Sequence, residues 1–119
     1  MPASKKTSAQ AGLVIALEFD WDEQNIGHLA RHQISPAEAE QVVINRPVDL
    51  ASELRNGEER VPHIGETNAG RILVLVTTMR GKKVRVVTAW PANKNYRQYF
   101  RSLKRNGNVG RAEADDLRE

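Results

Sequence analysis

Between positions 71 and 90 the chain reads RILVLVTTM, RGK, KVRVVTAW. Two runs rich in β-branched residues, joined by a short glycine-containing turn, predict an antiparallel hairpin. The first run is apolar at successive positions from 72 to 76. A strand apolar on both faces belongs in the middle of a sheet, with further structure packed above and below it. The rest of the chain has to supply those layers.

Upstream, PVDLASEL and EERVPHIGET flank Asn56-Gly57, a pair that favours a tight hairpin. Pro62 cannot donate to a ladder, so the second of these runs is expected to be an edge or bulged strand. LVIALEF, at positions 13–19, reads as a first strand. DWDEQNIGHLARH opens with acids and carries Ile26, Leu29 and Ala30 on one stripe, which predicts a helix packed by that stripe. Gly27 weakens it by about 1 kcal/mol relative to alanine. SPAEAEQVVI begins a second helix, with Ser35 as N-cap, Pro36 at the first helical position, Glu38 completing a capping box, and Ala39, Val42 and Val43 as the buried stripe. It must end before Pro47. From roughly 93 to 105 a last helix sets Tyr96, Tyr99, Phe100 and Leu103 on one stripe and Lys94, Arg97, Arg101 and Lys104 on another.

The expected fold is therefore α+β: a small, mainly antiparallel sheet with two N-terminal helices and one C-terminal helix packed against it. A chain of 119 residues with 39% hydrophobic composition can bury one modest core. We expect a single domain over 12–105, a polar arm at 1–11 and an aperiodic tail at 106–119. Cysteine is absent, which excludes disulfides and thiolate metal sites. LVIAL is too short for a membrane span or signal core, so no membrane association and a cytoplasmic location are expected.

The net charge of +3 conceals a segregation: positions 80–112 hold ten Lys or Arg and no acid, whereas positions 18–66 hold eleven of the fifteen acids. Separation of that kind favours a polyanionic partner, most naturally nucleic acid. Arg80, Lys82, Lys83, Lys94, Arg101 and Lys104 are the candidate RNA contacts, while Arg55, Arg105 and Arg118 read as ordinary surface charges.

No P-loop, dinucleotide fingerprint, zinc-finger spacing or nucleophile-elbow serine is present. Histidine, arginine and tyrosine remain. His28 and His32 sit one helical turn apart and could hold a metal if His63 or a carboxylate supplied a third ligand. They could equally be polar groups beside Leu29, or proton-transfer groups titrating near neutrality. Metal-free RNA cleavage by attack of the 2′-hydroxyl on phosphorus needs such groups together with fixed cations, for which arginine's planar fork is well shaped. Arg71 at the start of the central strand, Arg85 on its neighbour and Arg97 on the last helix are the candidates.

FDWDEQNIGHLARHQISPAEAEQVV, followed by HIGETNAGRILVLVTTMRGKKVRVVTA, resembles the BrnT family of type II toxins, whose compact fold is related to the RelE ribonucleases. The resemblance is carried by Phe19, Trp21 and Asp22; by Asn25, His28 and His32 ahead of Ile34 and Pro36; by a Gly65 turn; by Gly70-Arg71; and by R-x-V-T-A ending at Ala89. It runs from about residue 19 to residue 100. It implies a toxin that cleaves RNA without a metal or other cofactor, and a cognate antitoxin, often of ribbon-helix-helix type, through which the pair reaches DNA. Carried over by position, it implies a site of His28, His32, Arg71, Arg85 and Arg97. Where the family commonly has an arginine after T-A and a Glu-Arg pair in the helix, this chain has Trp90-Pro91 and Tyr96-Arg97. The alternative is a non-catalytic module using the same basic surface to hold a partner protein or nucleic acid.

Overall fold

The computed structural model describes residues 17–106. In chain order it contains α1 (Glu23–Ala30), α2 (Pro36–Ile44), β1 (Val48–Asp49), β2 (Glu53–Arg55), β3 (Glu58–Glu66), β4 (Ile72–Arg80), β5 (Lys83–Pro91) and α3 (Lys94–Asn106). The strands form one five-stranded antiparallel sheet of order β1-β3-β4-β5, with β2 pairing β3 further along. The apolar run around Leu73 and Leu75 is interior, as its two-faced character requires. The expected arm at 1–11, most of the expected strand at 13–19 and the tail beyond 106 lie outside the described residues. Of that strand, Phe19 makes a single parallel bridge to Val84.

Pro62 does not mark an edge. β3 is flanked on both sides, and Pro62 pairs with Val76 on β4 while its carbonyl accepts from Leu50 N at 2.9 Å. In an antiparallel strand a residue's N and C=O point the same way, so the missing N–H faces the gap between β1 and β2. The proline sits where the ladder is already interrupted. The tight turn at Asn56 (φ 55°) and Gly57 (φ 80°) then returns the chain into β3, as its Asn-Gly sequence predicts.

Helices cover the sheet on both faces. Leu73, Leu75, Val86 and Ala89 pack with Leu29, Ile34, Ala39 and Val42 from α1 and α2 and the turn joining them. Ile64, Ile72 and Val74 pack with Tyr96, Phe100 and Leu103 of α3, and Trp90 and Tyr99 close around that cluster. Trp90 and Tyr96, two of the departures from the family pattern, thus serve the α3 core. Ser35 and Glu38 form the expected capping box of α2, which ends at Ile44.

Two further details differ from the sequence expectation. Gly65 lies within β3 and not in a turn: a Cβ there would stand 2.8 Å from Val42 Cγ1 and 2.9 Å from Pro47 Cβ, so the glycine lets α2 and its exit approach the strand. On α1, the buried residues are Asn25 and Leu29, whereas Ile26 is 40% exposed and Ala30 also faces solvent. A buried asparagine displaces the apolar stripe because all its polar atoms find partners, as described below.

The two glycines should respond oppositely to alanine. Gly65→Ala is expected to destabilise by about 1–3 kcal/mol through overpacking. Gly27→Ala, with open space around its Cα, should stabilise α1 by about 0.5–1 kcal/mol. Urea denaturation of the two variants beside wild type checks both signs.

Candidate functional site

The site grows out of the way α1 closes the free edge of β5. Val76 pairs with Thr88 and Thr77 with Val86, so Val87 is an extra residue, a β-bulge. An edge strand presents unpaired backbone groups, and here four of them have a specific cover. Val84 exchanges bonds with the incoming chain, Val84 N donating to Glu18 O at 2.9 Å and Asp20 N to Val84 O at 2.8 Å. Asn25 Nδ2 donates to Val86 O (3.1 Å) and Asp20 O (2.9 Å), and Asn25 Oδ1 accepts from Asp22 N (2.8 Å). His28 Nδ1 lies 3.4 Å from Val87 O, the carbonyl of the bulge. With Nδ1 donating there, the neutral ring keeps its lone pair on Nε2.

Asp22 is the N-cap of α1, accepting from the amides of Gln24 and Asn25. The same carboxylate meets the guanidinium of Arg85, with Nη1 3.0 Å from Oδ2 and Nη2 3.2 Å from Oδ1, while Asp20 Oδ2 lies 3.4 Å from Nη1. The Arg85 side chain is only 8% exposed. The fork's hydrogen bonds hold the Asp22 carboxyl below the usual carboxylate range and push the Arg85 guanidinium up. Arg85 is committed to holding α1 against β5.

Beside this seam is an open pocket of about 190 Å³, lined by Asp22, Gln24, Asn25 and His28 from α1 and its cap, and by Arg60, Arg80, Arg85 and Val87 from the sheet. Val61 pairs with Thr77 and Thr78 with Arg85, so Arg60, Thr78 and Arg85 share the face on which α3 also lies. Glu58 bridges two of these arginines: Arg80 Nε donates to Oε2 at 2.8 Å and Arg60 Nη2 to Oε1 at 3.3 Å. The Arg80 hydrogen bond is the main cause holding the Glu58 carboxyl below its usual range. Arg60 Nε is buried and has no hydrogen-bond partner among the described residues. A half-buried imidazole among three guanidinium groups is chemically fitted to an anion whose reaction needs proton transfer.

A sequence model of the family described as ribonuclease toxin, BrnT, of type II toxin–antitoxin system, matches residues 21–95. The chain belongs to the BrnT family. No curated protein matches it. The matched stretch runs from the start of the α1 seam through all five strands to the beginning of α3, and so contains every residue lining the pocket. BrnT membership implies an RNA substrate and an antitoxin partner. No helix among the described residues is long and apolar enough to cross a membrane.

The five BrnT site residues expected from the resemblance fall in three places. His28 and Arg85 line the pocket. His32 is exposed on the turn after α1, and Arg71 is bound up beneath that turn: its guanidinium donates to Gln33 O (2.8 Å), to both oxygens of Glu38 (3.1 Å each) and to His32 O (3.4 Å). Gln33 takes a positive φ of 60°, so Arg71 braces a turn that is otherwise costly for a residue with a side chain. Arg97 is in α3, where Nη1 donates to Ala92 O at 2.7 Å. Of the expected RNA contacts, Arg80 lines the pocket, Lys82 and Lys83 stand exposed at the β4–β5 turn, and Lys94, Arg101 and Lys104 are exposed along α3. Lys104 Nζ also lies over the Phe100 ring at 5.7 Å and 3.9 Å from Glu66.

The third histidine is occupied elsewhere. His63 Nδ1 lies 2.7 Å from Asp49 Oδ1 and its Nε2 2.7 Å from Thr77 Oγ1, tying β1 to β3 and β4 on the face that α1 and α2 pack against. Among the described residues no three of His, Cys, Asp and Glu gather as metal ligands. Arg60, Glu58 and Gln24 were not anticipated. Alternation along β3 puts Arg60 on one face with Pro62 and Ile64, but its approach to Arg80 and Arg85 depends on strand register and on the Val87 bulge, which no local pattern announces.

The seam predicts a signed pH dependence. A carboxyl whose folded pKa is depressed contributes stability that is complete above its unfolded value, about 3.9, and lost as pH falls through the folded value. Asp22 is in that position, and asparagine preserves an N-cap. Asp22→Asn should therefore be less stable than wild type at neutral pH, with the difference closing as pH falls through the folded value of Asp22. Denaturant midpoints measured across the acid range give the comparison; a difference independent of pH contradicts the ion-pair account.

Proposed function

We propose that this chain is a metal-independent endoribonuclease that acts in the cytoplasm, arrests translation by cutting mRNA, and does so at the pocket beside α1. The reading rests on one observation: His28 lines the same pocket as Arg60, Arg80 and Arg85, within the stretch that the BrnT family model matches. His28 Nε2 takes the proton of the ribose 2′-hydroxyl, the 2′-oxygen bonds to phosphorus, the P–O5′ bond breaks, and the 5′-oxygen takes a proton from the imidazolium or from water. The products are a 2′,3′-cyclic phosphate and a 5′-hydroxyl. Arg60 and Arg80 neutralise the oxygens on phosphorus, and Arg85 holds the α1 N-terminus in place.

The remaining expected residues take supporting parts. Arg71 and the His32 turn fix the far end of α1, and so the pitch at which His28 enters the pocket. Arg97 anchors the start of α3, and Lys82, Lys83, Lys94, Arg101 and Lys104 guide the RNA backbone. The activity resides in one RelE-like domain spanning 12–105. The antitoxin, of ribbon-helix-helix type, neutralises the toxin and carries the pair to DNA.

Purified protein, freed of antitoxin, should cleave single-stranded RNA in EDTA, and His28→Ala should lower the rate by about a hundredfold or more, the size of lost acid–base catalysis. His32→Ala should cost far less. Cleavage abolished by EDTA and restored by a divalent ion contradicts metal independence. RNA binding without cleavage identifies a non-catalytic module instead.

A further inference from the structure

The ion pairs at the pocket are of two kinds. Arg85 is held by Asp22, and Asp22 is tied at the same time to the amides of Gln24 and Asn25, so that pair cannot open without uncapping α1. Glu58 is different. Its side chain bridges Arg80 and Arg60 and makes no other hydrogen bond among the described residues. It is the first residue of β3, directly after the Asn56-Gly57 turn, and the side chain is 27% exposed. Among the described residues its carboxylate makes no hydrogen bond to a helix or to the backbone.

A carboxylate between two guanidinium groups occupies the position a phosphodiester would take, since both anions present paired oxygens to the arginine fork. Arg60 is also left incomplete by Glu58: one Nη2 contact at 3.3 Å is made, and the buried Nε has no partner. Adding an acceptor with oxygens free to orient would satisfy both nitrogens. Neighbouring Glu59 offers a contrast, because it carries the same charge but bonds to Ser52 Oγ at 2.9 Å and points to the opposite face of the strand.

We infer that Glu58 is an exchangeable counter-ion, an internal stand-in for phosphate that holds Arg60 and Arg80 in their bound positions and yields them to a phosphodiester of the RNA. This rests on the reading of the pocket as the RNA site. The exchange makes the site selective for a phosphate presented together with enough neighbouring contacts to displace a tethered carboxylate, and it weakens the hold on isolated anions. It also lowers the salt dependence of binding. The displaced Glu58 carboxylate takes up a solution cation, which offsets one of those the RNA backbone releases.

The test measures binding of a short single-stranded RNA with every 2′-oxygen methylated, which cannot undergo 2′-attack, by fluorescence anisotropy over a range of salt. Glu58→Gln should bind at least fivefold more tightly than wild type at low salt, and its plot of log K against log salt should be steeper by roughly 0.7 for each cation freed. Glu59→Gln, with the same change of net charge, should bind within about twofold of wild type, as expected for a screened charge not in contact. Arg60→Met and Arg80→Met together should abolish the gain from Glu58→Gln. Glu58→Ala serves as a second variant, and thermal melts establish that each protein is folded. Equal gains from Glu58→Gln and Glu59→Gln, or no gain from the first, overturn the inference. If Arg60→Met and Arg80→Met alone weaken RNA binding while Glu58→Gln does not strengthen it, the pocket reading stands and only the exchange fails. If neither arginine variant weakens binding, the pocket reading fails as well.

Discussion

The fork between Arg85 and Asp22 is the constraint on which the rest is arranged. It joins the N-terminus of α1 to the edge strand β5 and places a guanidinium where it is nearly excluded from solvent. Such a charge is tolerated only when paired and hydrogen-bonded, and removing its partner leaves an uncompensated buried cation. Asp22 meets the demand while capping the helix, and Asn25, the capping-box partner, uses its remaining donor atoms on two backbone carbonyls. One small polar cluster therefore sets the helix start, protects the sheet edge and fixes the angle of α1.

That angle determines what stands beside the sheet. The Val87 bulge turns an extra carbonyl toward α1, and one helical turn beyond Asn25 brings His28 to it. The half of the sheet face that α3 leaves uncovered carries Arg60, Thr78 and Arg85, so the imidazole is delivered to a surface already supplied with cations. The protein then separates its ion pairs by duty. Arg71 with Glu38 and Arg85 with Asp22 brace turns and helix ends, whereas the Glu58 side chain holds two arginines of the pocket and makes no other hydrogen bond among the described residues.

Much of the scaffold was legible because local chemistry and tertiary position agree. The capping box at Ser35, the Asn56-Gly57 turn, the doubly apolar β4 and the Tyr96/Phe100/Leu103 stripe each point to one outcome, and the structure has that outcome. The failures share a cause. Ile26 was expected in the buried stripe and Asn25 was not, because periodicity counts apolar atoms and cannot see that an amide will find three backbone partners, one of them on β5. Pro62 read as the mark of an edge or bulged strand because the break between β1 and β2 is a property of pairing. Arginines were visible in the sequence as candidates, but which of them brace the fold and which face the pocket depends on partners distant in the chain. For Arg71 that partner is Glu38; for Arg80 it is Glu58.

The most direct test of the account is a structure of the protein with a 2′-O-methylated RNA bound. The account predicts a phosphodiester in the pocket, its oxygens within hydrogen-bonding distance of Arg60 and Arg80, the Glu58 carboxylate displaced from both, and His28 Nε2 facing the adjoining 2′-oxygen. An RNA lying along Lys94, Arg101 and Lys104 of α3, with the pocket empty and Glu58 still bridging its arginines, would contradict it.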